Sequence, residues 1–132
     1  MSAPVDEPTW DRPPEDECEE TTFTGPVTDA PDGDYRLKIR MVRHLISGKL
    51  TEFAVVFQFK IGNTWADVVE IDSCHHVDVH LHQYCQSTRE RVGNRELLRV
   101  VENIEEVQSG YVLAFDHVET NWQRLMERWR RG

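Results

Sequence analysis

Thr51-Glu52-Phe53-Ala54-Val55-Val56-Phe57-Gln58-Phe59-Lys60-Ile61 is the stretch that decides the fold class. Phe53, Val55, Phe57, Phe59 and Ile61 share one face under period-two alternation. Aromatic and β-branched side chains suit a pleated, half-buried surface. Gly62-Asn63 predicts a tight hairpin turn, and Thr64–Asp72 the returning strand. Upstream, Tyr35, Leu37, Ile39 and Met41 alternate with Arg36, Lys38 and Arg40, so another strand with one apolar face is expected there. Ser47-Gly48-Lys49 supplies the turn between them. Downstream, roughly Cys74–Tyr84 predicts a fourth strand. Short loops make these four an antiparallel meander.

The period then changes. From Asn94, a plausible N-cap, Leu97, Leu98, Val101, Ile104 and Val107 recur at three- and four-residue steps up to Gly110, a C-terminal stop. A second helix is expected over much of Val112–Arg131, with Val118, Trp122, Leu125 and Trp129 as its apolar stripe. Arg124, Arg128, Arg130 and Arg131 suit its C-terminal end. Strands first and helices second predict an α+β domain, with both helices packed on one face of the sheet.

Charge divides the chain differently. Residues 1–34 hold eleven carboxylates against one base, Arg12, and all six prolines. Residues 35–132 carry 14 Lys and Arg against 13 Asp and Glu. The net charge of −9 therefore belongs to the first segment. Such a segment has too little apolar surface to offset its ordering entropy, so a disordered acidic tail over 1–34 and one folded domain over 35–132 are expected. No apolar run approaches a membrane span, and no signal peptide is evident. Cys18, Cys74 and Cys85 fall in no CxxC spacing, which suits free thiols in a cytoplasmic protein.

Four of the six histidines fall in one eight-residue stretch. His76, Asp78, His80 and His82 alternate, so they share the face opposite Val77, Val79 and Leu81. At about 3.3 Å per residue, neighbours on that face lie roughly 6–7 Å apart. One metal ion with bonds of about 2 Å can take two adjacent members, such as His80 and His82, with a third ligand from Asp72 or His117. No cofactor is required by the pattern, and zinc is the metal it would suit. The same spacing fits two imidazoles flanking a phosphodiester, His80 and His82 as acid and base with His76 and Asp78 supporting. Arg89 and Arg91 stand ready for the phosphate. Alternating polar residues are also what any solvated sheet face shows.

Arg36, Lys38 and Arg40 form a second row, a candidate nucleic-acid face or simply a charged edge strand. The acidic tail could fold back on it and compete with RNA.

The residues Trp65, Val68-Val69-Glu70-Ile71-Asp72, His75 or His76, Val79-His80-Leu81-His82 and Asn121-Trp122 together resemble a family of small uncharacterised prokaryotic domains. In size, strand-rich first half and an Asp followed by clustered histidines, the chain also resembles TumE-type toxins of toxin–antitoxin pairs. It lacks their proline-and-lysine-punctuated histidine motif. The resemblance implies a small stand-alone protein that acts on RNA and is neutralised by a protein partner. A non-enzymatic adaptor that docks a partner, and a metal-binding protein, are the other expectations.

Overall fold

The computed structural model describes residues 10–31, 33–73 and 78–131. Six antiparallel strands form one sheet in sequence order: β1 (Cys18–Gly25), β2 (Tyr35–His44), β3 (Leu50–Ile61), β4 (Thr64–Asp72), β5 (Val79–Tyr84) and β6 (Arg91–Arg99). A single-turn 3-10 helix (Glu15–Glu17) precedes them and one long helix, α1 (Glu105–Arg131), follows. The α+β class and the antiparallel meander are as expected. The meander has six strands rather than four, and one helix stands where two were expected.

The first extra strand, β1, lies inside the segment expected to be a disordered tail. Its side chains are almost all exposed, so no apolar face announces it. Backbone pairing with β2 places it, from Cys18 opposite His44 to Gly25 opposite Leu37. Arg40 on β2 donates to Glu20 on β1 at 3.1 Å, and His44 Nε2 meets Glu17 Oε1 at 2.9 Å. A boundary near Gly33 thus falls between two paired strands.

The second, β6, replaces the start of the expected first helix. A tight turn at Cys85–Glu90 sends the chain back along β5: Arg89 N donates to Cys85 O (2.8 Å) and Cys85 N to Glu90 O (2.9 Å). Arg89 takes a left-handed φ of 65°, and so does Gly93 at 68°. Glycine adopts that region without a Cβ penalty, and a helix there would be interrupted. The helix cap is Asn103 instead of Asn94. Its Oδ1 accepts from Glu106 N while its Nδ2 donates to Glu106 Oε1, both at 3.1 Å. Reciprocal bonds of this kind satisfy donors at a helix start.

Gly110 does not stop the helix; the chain runs on through it. A Cβ built there would lie 2.7 Å from Val79 Cγ2, so the residue is small because α1 presses on β5 at that point. From there Ala114, Val118, Leu125, Met126 and Trp129 continue the buried stripe. It covers Leu37, Ile39, Phe53, Val55, Phe57, Val69, Ile71, Val79 and Leu81 on one side of the sheet. Aromatic pairs tie the layers: Tyr35 to Trp122 at 5.0 Å, Phe53 to Tyr111 and Phe59 to Trp129 both at 5.7 Å. Burying side chains of this size contributes roughly 1.5–3 kcal/mol each before ordering costs. No helix among the described residues is long and apolar enough to cross a membrane. Cys18 and Cys85 are free thiols, and Cys74 lies outside the described residues.

Candidate functional site

Side chains alternate across a strand, so Val79 and Leu81, turned into the core under α1, leave His80 and His82 on the opposite face. The same argument on β4 sends Ile71 and Val69 inward and Glu70 and Asp72 outward. Strand register then brings the two outward rows together: Asp72 is the partner of His80, and Glu70 of His82. Further across the face, Val56 pairs Glu70 and Lys38 pairs Val56. The cationic row of β2 and the histidine row of β5 therefore share the sheet face that α1 does not cover.

His82 is the centre of this arrangement. Its Nε2 lies 3.5 Å from Asp72 Oδ2, with both side chains about nine-tenths buried. Ligand atoms of Glu70, Asp72 and His82 all fall within 4.8 Å of one another. Arg91 Nη2 donates to Glu70 Oε2 at 3.2 Å, and its Nε to Tyr84 Oη at 3.1 Å. On the β6 side the ladder opens. Val92 pairs Gln83 and Glu96 pairs Leu81, so His82 faces a bulge containing Gly93, Asn94 and Arg95. Bulges of this kind bend a strand and interrupt its pairing next to functional side chains.

Electrostatics follow from the crowding. Burial, then the neighbouring Asp72 carboxyl, raises Glu70 to about 7. Two carboxylates this close in a partly dry site cannot both ionise freely. Burial, then the positive charge of Arg91, lowers His82 below the usual imidazole range, which favours its neutral form at neutral pH. A neutral imidazole and a protonated carboxylic acid side by side are one base and one acid, set by environment.

The sequence-predicted residues divide accordingly. His80, His82, Asp72 and Arg91 are brought to one face, and Glu70, not singled out from the sequence, completes the cluster. Its signal was the same alternation that marked His80 and His82, one strand earlier. Asp78 is occupied elsewhere: its Oδ1 accepts Val101 N at 2.9 Å and ties the start of β5 to the segment before α1. Arg89 is not in the cluster; it sits on the turn and lines a hollow with Trp65 and Asp67. His117 stands on α1, across the sheet from His82, where burial lowers its pKa and Arg124 and Glu96 are its charged neighbours. It cannot serve as the third ligand. His76 and His75 lie outside the described residues.

The cationic row is partly engaged from within. Arg40 bonds Glu20 and Glu52, and Arg12 also reaches Glu52 at 3.1 Å. Arg36 donates to Gln58 Oε1 at 2.7 Å and lies 4.2 Å over the Trp65 ring. Lys38 is exposed and lines a depression of about 210 Å³ with Arg40, Val56, Gln58, Asp67 and Glu70. A larger hollow of about 530 Å³ lies between Arg12, Cys18, Arg40 and Glu52, at the β1 edge and away from His82.

No curated protein and no solved structure matches the chain. A family described as a domain of unknown function (DUF7718) matches residues 19–132 and so begins within β1. That span takes in all of β1 but its first residue, the other strands, α1 and the whole His82 cluster, and the chain belongs to this family of small uncharacterised domains.

Proposed function

We propose that the chain is a small RNA-directed protein, toxin-like in action, whose working surface is the sheet face left open by α1. The observation that carries the reading is the convergence of Glu70, Asp72 and His82 beside Arg91 on the face that also bears Arg36, Lys38 and Arg40. A phosphodiester needs cations to hold its charge and groups that move protons at neutral pH. RNA brings its own nucleophile, the 2′-hydroxyl, so no covalent residue is required. His82, held against Asp72, and His80, two residues along the same face of the strand, are the proton carriers. Arg91, half exposed and anchored by Tyr84, is aimed where a phosphate would meet them. Arg36 stacked on Trp65 offers an aromatic and guanidinium platform of the sort on which unpaired bases stack.

The experiment is expression of the wild type and of the His80→Ala/His82→Ala pair in a bacterial host. Growth arrest by the wild type alone supports the reading. Equal growth of both strains removes it and leaves the same face as a docking surface for a protein partner.

A further inference from the structure

We infer that Glu70, Asp72 and His82 form a binding site for one divalent first-row metal cation, with two carboxylate oxygens and one imidazole nitrogen as the protein ligands. Atoms bound to one cation at about 2.0–2.2 Å stand roughly 3–4.4 Å apart, depending on the angle between them. Asp72 Oδ2 and His82 Nε2 already stand 3.5 Å apart, and the third ligand atom lies within 4.8 Å of both. Modest rotation of the Glu70 side chain closes the remainder. The ligand set differs from the one the histidine row suggested. His80 projects from the same face two residues along β5, and Glu70 takes its place.

A second observation points to a ligand. The Asp72 side chain is nine-tenths buried, and its contacts within the cluster set a second carboxyl, that of Glu70, against it. Buried carboxylates in folded proteins are nearly always met by several donors or by a cation. Asp72 meets Glu70, another acid, and an imidazole at the limit of hydrogen-bond distance. Arg91 contacts Glu70 through Oε2, and the Glu70 carboxyl also meets Asp72, the contact a cation would replace. Donors of this composition favour hard to borderline cations such as Mn²⁺ and Zn²⁺ over soft, thiolate-seeking ones. Three protein ligands leave positions for water or phosphodiester oxygens on the side of the β6 bulge.

The inference rests on this cluster being the working site. A cation there takes the His82 Nε2 lone pair, so in the metal-loaded state His80 is the histidine left to carry a proton. The test needs no RNA. The full-length protein, stripped with chelator and dialysed, is titrated calorimetrically with MnCl₂ and with ZnCl₂. One saturable site for at least one of the two cations is expected. Asp72→Asn, Glu70→Gln and His82→Ala should each weaken it at least tenfold, and His117→Gln should leave it within about twofold. Glu70→Gln is nearly isosteric and partly exposed, so it reports even if Asp72→Asn fails to fold. Absence of saturable binding, or binding that survives Glu70→Gln and His82→Ala unchanged, overturns the site. Metal binding without action on RNA keeps this inference and sinks the RNA reading; RNA cleavage undiminished in excess chelator does the reverse.

Discussion

Gly110→Ala tests the contact that holds α1 against the strand of His80 and His82. In an open helix, alanine in place of glycine adds about 1 kcal/mol of stability. Here the new methyl carbon would lie 2.7 Å from Val79 Cγ2 and 3.5 Å from Phe53 Cε1. Carbon atoms attract best at about 3.5–4.0 Å, so the Val79 contact is short by roughly 1 Å. Val79 is fully buried and β-branched, stiff at χ1, and cannot swing aside cheaply. Overpacking in such places costs about 1–3 kcal/mol; with a stiff neighbour the upper half applies, and the propensity gain offsets about 1. A net loss of about 1–2 kcal/mol is expected, read as a lower urea midpoint at constant m value. In a Val79→Ala background the clash is gone, and Gly110→Ala should become neutral or stabilising. Equal or greater stability of Gly110→Ala in the otherwise wild-type protein would refute the close docking.

Other expectations concern the open face. In chelator, the Glu70 contribution to stability, read as wild type minus Glu70→Gln, should fall as pH rises from about 5 to 8. The lowered pKa values of His82 and His117 act in the opposite direction in both proteins. The folded state holds a proton on Glu70, raised to about 7, while the unfolded chain releases its own near 4.5; stability is full below the unfolded value and lost through the folded one. Discounted for partial exposure, the loss is on the order of 1–2 kcal/mol, and Glu70→Gln should flatten it. A difference between wild type and Glu70→Gln that does not change with pH between these limits would contradict the crowding of Glu70 and Asp72. Lys38→Ala should weaken RNA binding across sequences and reduce the salt slope by about 1, measured by fluorescence anisotropy at several salt concentrations. An unchanged slope would take Lys38 off the RNA path.

How much of this was legible depends on which physical force placed each residue. The β3–β4 hairpin was readable because Phe53, Val55 and Phe57 are all buried on one side, and burial writes period two into the sequence. The face of His80 and His82 followed from Val79 and Leu81 in the same way. Strand β1 was not readable: Cys-Glu-Glu-Thr-Thr-Phe-Thr-Gly is exposed except at its two half-buried ends and is placed by backbone pairing, which leaves no hydrophobic signature. Strand β6 carried a misleading one. Leu97 and Leu98 fall at helical spacing with Val101, yet Leu97 is 52% exposed and Val101 alone of the three is buried. Gly110 has the composition of a helix stop but is a packing residue, a distinction that depends on what lies opposite. Asp72 was legible as a candidate third partner of the histidine row, Glu70 only as part of a strand; the meeting of both with His82 depends on register between strands, which one chain's periodicity does not encode.

The most direct test of the open face as an RNA-acting site uses purified proteins. Wild type and His80→Ala/His82→Ala are incubated with single-stranded RNA with and without added Mn²⁺ or Zn²⁺, after matched thermal melts establish that both are folded. The account predicts cleavage by the wild type and at least a hundredfold slower cleavage by the variant, since acid–base groups typically contribute about 10²–10⁴-fold. Intact RNA in every reaction, or equal cleavage by both proteins, would contradict it.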